Sequence, residues 1–198
     1  MARNIVHAFV DGAYLRRLAV NSSRPLPQPR SLVVGAIGRG SLAEWCSDDP
    51  IRPSSVMLSR LIYYDARPDS GASESENLKS YWKAIELLPD CDLGFGSLRG
   101  RNRRQKGVDT LIAVDMLSGA FDKVFTVAIL VAGDADFVPV VQEVKRRGVM
   151  VGLIGEPSST SEDLKRAVDR FQPLDPIGDD NVFTPFNNPA IGGFWKAE

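Results

Sequence analysis

Short, continuously apolar runs rich in β-branched residues alternate along this chain with stretches of helical periodicity. That alternation restricts the fold more than any other feature. Val124 to Ala132 is a nine-residue apolar run, too short to span a bilayer but suited to a strand covered on both faces. Val149 to Ile154 is a second such run, and Ile5 to Val10 a third that ends in Asp11-Gly12. Between them, Val108 to Ala120 places apolar residues at 108, 111, 112, 116 and 117, the spacing of an amphipathic helix. Phe137 to Arg147 reads as a helix stopped by Gly148, with Lys145, Arg146 and Arg147 favouring the negative end of its dipole. Ser161 to Val168 is a further helix.

The first half is less regular. Ala13 to Ala19 predicts a helix, Asn21 to Ser31 a loop carrying prolines 25, 27 and 29, and Leu32 to Trp45 a helical stretch weakened by Gly35, Gly38 and Gly40. Val56 to Tyr64 predicts a strand closed by Asp65-Ala66-Arg67-Pro68. Glu76 to Leu88 predicts a helix and Leu93 to Leu98 a glycine-weakened strand. Strand and helix thus alternate about five times. The expectation is an α/β sandwich of three layers, a central, mainly parallel sheet with helices on both faces.

A length of 198 residues, 43% hydrophobic and 25% charged, suits one soluble domain and excludes disordered, collagenous and coiled-coil chains. The expected domain runs over 1–174 with an insertion near 21–54, followed by a tail over 175–198. That tail carries Phe183, Phe186, Phe194 and Trp195, rings expected to dock on an apolar groove of this domain or of a second copy, as in a homodimer. No run is long enough for a membrane span, and the N-terminal apolar run, broken at Asp11, is not expected to be a secretion signal. Cys46 and Cys91 show no metal-ligand spacing and read as reduced thiols of a cytoplasmic protein.

His7 is the chain's one histidine. It excludes a paired-histidine ribonuclease and an H-E-x-x-H zinc site, and no G-x-S-x-G elbow accompanies it. Its expected place is within the first strand, held by a local hydrogen bond. Chemistry, if present, falls to carboxylates. Ligands of open parallel sheets bind beyond the carboxyl ends of the strands. Asp11 ends the first strand, Asp134 and Asp136 follow the run Val124–Ala132, and Asp109 opens the helix after a basic loop. Four carboxylates on one rim call for a cation, and hard oxygen ligands select Mg²⁺ or Mn²⁺ over zinc. Each also has a plainer role. Asp134 or Asp136 can cap the next helix, Asp109 can favour its helix dipole, and Asp11 can form a turn with Gly12. Asp115 falls on the apolar stripe of its helix, from where it reaches the site or pairs with a cation.

The basic loop is Arg99-Gly100-Arg101-Asn102-Arg103-Arg104-Gln105-Lys106, five cations in eight residues within a chain of net charge −1. Such a run is commonly a solvated connection. Here Arg99, Arg101, Arg103, Arg104 and Lys106 stand at the mouth of the acidic rim, where cations contact nucleic-acid phosphates. A carboxylate-held metal beside a phosphate-binding loop has the parts of phosphodiester hydrolysis.

Three segments resemble the signatures of the NYN domain family, relatives of the PIN-domain nucleases. They are Phe9-Val10-Asp11-Gly12; Lys106-Gly107-Val108-Asp109 with Ala113-Val114-Asp115-Met116-Leu117; and Gly133-Asp134-Ala135-Asp136-Phe137. The resemblance covers about residues 4–174. It implies a PIN-like sandwich and a Mg²⁺- or Mn²⁺-dependent ribonuclease acting on RNA, expected to be single-stranded. Its metal-binding and catalytic residues would be Asp11, Asp109, Asp134 and Asp136, with Asp115 also matching. Tyr14 stands where relatives often have Asn, and Ala132 and Ala135 where Ser is common. Those exchanges remove polar groups able to orient water or phosphate.

Two rival enzymes fit less well. Gly35 to Gly40 and Gly94 to Gly100 lack the glycine order and the following helix of a dinucleotide fingerprint. A dehalogenase-type phosphatase would carry its Asp-x-Asp pair on the first strand. A catalytically silent RNA-binding or adaptor protein on the same fold is the alternative of a different class.

Overall fold

A computed structural model of the protein describes residues 4–38, 40–47, 57–68, 76–99 and 104–174. The 175–198 tail, Arg101 and Arg103 lie outside the described residues.

Seven strands form one sheet in the order β4-β3-β2-β1-β5-β6-β7. They are β1 (Val6–Asp11), β2 (Arg60–Pro68), β3 (Cys91–Arg99), β4 (Arg104–Lys106), β5 (Val127–Val131), β6 (Met150–Gly155) and β7 (Arg170–Pro173). All neighbours pair in parallel except the short β4, which returns antiparallel on β3. Helices α1 (Gly12–Asn21), α2 (Pro29–Gly38), α3 (Ala43–Cys46) and α4 (Glu76–Glu86) contribute to one core. Helices α5 (Val108–Phe121), α6 (Val138–Arg146) and α7 (Glu162–Ala167) contribute to the other.

The strands explain how one sheet serves two cores, because successive side chains point to opposite faces. Val6, Ala8 and Val10 enter the first core with Val127, Ile129 and Val131. Phe9 enters the second with Ala128 and Leu130. The sandwich expected from the alternating apolar runs is therefore present. Residues read as an insertion supply Leu32, Val33, Ile37 and Leu42 to the first core rather than standing apart from it.

Several local expectations are corrected. The chain turns into α2 at Pro29, within the segment read as a loop, because proline is tolerated in a first helical turn. Gln28 Oε1 accepts the Ser31 N–H there at 3.0 Å. Strand β2 continues through Asp65 to Pro68 instead of closing before Asp65. Part of the basic loop is strand β4, and β7 follows α7 where no period was legible. His7 lies in β1 with its ring centroid 5.1 Å from that of Phe125. It takes no side-chain hydrogen bond among the described residues, and burial, then Arg60, hold its imidazole below its ordinary pKa.

Topology places the site. Numbering the parallel strands alone, the order reverses between β1 and β5, so their connections leave the sheet on opposite faces. That switch opens a crevice beyond their carboxyl ends. Asp11 ends β1 there, and Gly133-Asp134 follow β5.

Candidate active site

Asp11 is built in by backbone. It is the N-cap of α1, its Oδ1 accepting the N–H groups of Ala13 at 2.9 Å and Tyr14 at 3.2 Å. The next residue must be small. A Cβ on Gly12 would lie 2.5 Å from Tyr63 Cζ and 2.6 Å from the carbonyl oxygen of Tyr64, so glycine lets α1 start directly against β2. Asp11 Oδ2 takes no hydrogen bond among the described residues. The carboxyl is 5% exposed. Burial, with Asp109 adding repulsion, pushes its pKa up to about 6 against the two N–H groups and Arg17.

Asp109 sits in the first turn of α5 and is exposed. Burial of part of its surface and then the charges of Asp134 and Asp136 raise its pKa, opposed by Arg17. Asp134 caps the 3₁₀ turn Ala135–Phe137, its Oδ1 accepting the Asp136 N–H at 3.1 Å. The plainer capping roles of Asp11 and Asp134 are thus real, and each occupies only Oδ1. The charge of Asp109 acts on Asp11, those of Asp134 and Asp136 act on Asp109, and the charge of Arg17 opposes both effects.

Asp115 is tied to the strand beside β1. The buried row of α5 is Val108, Ile112, Met116 and Ala120, and Asp115, one position off that row, is exposed rather than part of the apolar stripe. Its Oδ2 accepts the Tyr64 hydroxyl at 2.8 Å. The described ends of the basic run pair antiparallel, with Arg99 opposite Arg104 and Ser97 opposite Lys106.

Chemically the donor set suits a hard divalent cation. It is all carboxylate oxygen, like charges crowd it, and two of its members keep a free Oδ2. Among the described residues, no three His, Cys, Asp or Glu side chains are grouped closely enough to hold an ion as they stand.

Sequence reasoning missed three features. Tyr14 is buried against the carboxyl ends of β5 and β6. A Cβ on Gly133 would lie 2.6 Å from its Cε2, and its hydroxyl accepts the Glu156 N–H at 2.8 Å. Ala132 is likewise fully buried, and Ala135 is exposed in the 3₁₀ turn. Arg17 carried no local signal, since an exposed helix cation is ordinary. Asp65 is fully buried, paired with Arg16 and accepting Trp82 Nε1–H at 2.9 Å. An acidic residue before Ala-Arg-Pro reads as a turn, and its partners lie far along the chain.

A three-layer sandwich with an acidic rim at its switch point has the build of a nuclease-like α/β domain. Residues 49–175 match the NYN domain, and the chain belongs to that family. The matched span holds Asp109, Asp134 and Asp136 and begins after Asp11. An uncharacterized protein of Sinorhizobium fredii, y4oD, is 32% identical over 105 residues, covering 46% of this chain and 49% of the relative. The chain therefore spans about half the length of that relative. A Vibrio parahaemolyticus protein of unknown function, VPA0982, has a similar solved structure with a TM-score of 0.63 at 17% identity, covering 88% of this chain and 96% of that one. That likeness concerns the fold alone. No helix of the described residues is long and apolar enough to cross a membrane.

Proposed function

We propose that this NYN domain is a metal-dependent ribonuclease acting on single-stranded RNA. The observation that carries the reading is the placement of carboxylates at the switch point, with Asp11 ending β1 and Asp134 following β5, where burial first and neighbouring carboxylates second raise the pKa of Asp11 and Asp109. Uncompensated negative charge on a rim bordered by a basic hairpin is what a cation and a phosphate would jointly neutralise. Asp11, Asp109, Asp134 and Asp136 would hold Mg²⁺ or Mn²⁺. When bound, such an ion supplies activation of water and neutralisation of charge at the phosphate.

The chain's own groups do the rest. Asp11 is fixed by its cap at Oδ1, so its Oδ2 would bind an ion with little freedom to lose. Arg17, on the helix Asp11 caps and acting on the charges of Asp11 and Asp109, would take a phosphate oxygen beside them. Backbone pairing in the β3–β4 hairpin presents Arg99, Arg104 and Lys106 at one end of the sheet, to attract the strand. Both cysteines are free, which fits a cytoplasmic setting.

A silent RNA-binding or adaptor role is favoured by a specific observation, the lack of a ready-grouped ligand set among the described residues. Titrating Mg²⁺ or Mn²⁺ into the protein with single-stranded RNA separates the two. Metal-dependent cleavage lost in Asp134→Asn supports the nuclease, whereas binding without cleavage at any metal concentration supports the adaptor.

A further inference from the structure

The buried pair Arg16–Asp65 does not belong to the acidic rim, yet it fixes what stands beside it. Asp65 is fully buried and holds the Trp82 indole through Nε1–H at 2.9 Å. Trp82, itself buried, meets Phe95 edge-to-face, with centroids 4.9 Å apart and planes at 73°. Arg67 is exposed and seats its guanidinium carbon 3.7 Å from the Phe95 centroid and 5.8 Å from that of Trp82. Arg67 has no carboxylate partner among the described residues. An arginine backed by two aromatics keeps its charge and donors, and its outer face is open to solvent.

Its position joins the two halves of the site. Asp11 is in register with Tyr64, and Asp65 with Phe95. Arg67 therefore lies three residues further along the strand next to β1, roughly 10 Å beyond the level of Asp11. From Phe95, β3 runs on to Arg99, which pairs with Arg104. Arg67 thus lies on the strand between β1, which ends in Asp11, and β3, which runs on to Arg99.

We infer that Arg67, seated on the Phe95–Trp82 pair, is a stacking platform for an unpaired base of single-stranded RNA. Guanidinium planes stack on splayed bases irrespective of sequence, and a duplex hides those faces. Such a platform would confer a preference for single strands, which phosphate contacts alone do not provide. It deepens the ribonuclease reading and rests on it for the identity of the polymer.

The test measures binding of the full chain, with EDTA present, to a short single-stranded RNA and to the same strand bearing abasic sites. Both carry identical phosphates, so the difference isolates the bases. Wild type is expected to favour the base-bearing strand by about tenfold. Arg67→Lys, which keeps the charge, is expected to lose that preference while retaining its salt dependence, and Arg67→Ala to lose both the preference and some salt dependence. Retained preference in Arg67→Lys, or no preference in wild type, overturns the platform while leaving cleavage intact as a property of the aspartates. Failure of wild type to bind either strand overturns the ribonuclease reading, and the platform with it. Melting curves confirm folding. If Arg67→Ala does not fold, Arg67→Lys alone decides.

Discussion

The hydroxyl of Tyr14 meets that of Thr160 at 2.9 Å, tying the first helix to the loop after β6. Thr160 donates to the Glu156 carbonyl at 2.7 Å, so Tyr14 donates to Thr160 while accepting the Glu156 N–H. The same loop approaches the acidic rim, because the Ser161 N–H donates to the Gly133 carbonyl at 2.8 Å, one residue before Asp134. Tyr14→Phe leaves the half-buried Glu156 N–H without this partner and is expected to cost about 1 kcal/mol, lowering the melting midpoint by a few degrees. Tyr14→Asn also empties the space the ring fills between Gly133 and Gly155, and should cost more, about 3 kcal/mol or above. Denaturant melts of the two variants check the order. Equal stabilities would deny the ring its packing role.

Asp11 makes stability depend on pH in an unusual direction. Its carboxyl ordinarily titrates at 3.8 and here at about 6. Between those values the folded protein keeps a proton that the unfolded chain has released. Stability therefore falls as pH rises through the window, by about 3 kcal/mol for a shift of this size. Asp11→Asn keeps an acceptor for the Ala13 and Tyr14 N–H groups but carries no charge. Without metal at pH 7 it should be more stable than wild type, and equal to it near pH 4. Added Mg²⁺ or Mn²⁺ should raise the wild-type midpoint at pH 7 and leave the variant unmoved, and cleavage should vanish in the variant. Melts at the two pH values with EDTA, then with metal, read all of this.

What was legible in the sequence follows from how local each feature is. The runs in β1, β5 and β6 are buried on both faces, so every residue reports its environment and the strands are evident. Helix α6 declares itself by period. Asp11, Asp109, Asp134 and Asp136 were legible as candidates because strand ends and helix starts are local signals. Features that depend on distant partners were not legible. Asp65 reads as a turn residue until Arg16, 49 positions earlier, and Trp82, 17 later, are seen to surround it. Strand β4 is made by the edge of β3 that it covers, and its Arg-Gln-Lys sequence is what a charged edge strand carries. Strand β7 is short and half-buried, and exists because β6 offers it a ladder.

On the proposed reading, the basic run would make RNA binding salt-dependent. Arg101, Arg103 and Arg104 changed together to Ala should weaken RNA binding at low salt. The log–log salt slope should fall by about 0.7 for each phosphate that the variant no longer neutralises. Base preference should persist, since Arg67 is untouched. A slope equal to wild type would return the run to a solvated connection.

The Arg16–Asp65 pair is expected to behave as a unit. Asp65 is fully buried while a quarter of the Arg16 side chain is exposed. Burial alone would lower the Arg16 guanidinium, but the facing Tyr63 and Asp65 carry its pKa above its ordinary value. Asp65→Asn leaves an acceptor for Trp82 Nε1–H but removes the charge that Arg16 faces. Arg16→Met leaves a fully buried carboxylate with no cation. Breaking one side of a buried pair costs about 3–5 kcal/mol, and partial exposure of Arg16 places Asp65→Asn at the lower end. The double variant carries neither charge and keeps the indole satisfied, so it should be more stable than either single one. A double-mutant cycle measured by denaturant melts gives the coupling, expected to exceed about 1 kcal/mol for residues in contact. Additive losses would show that the two charges stabilise the fold independently.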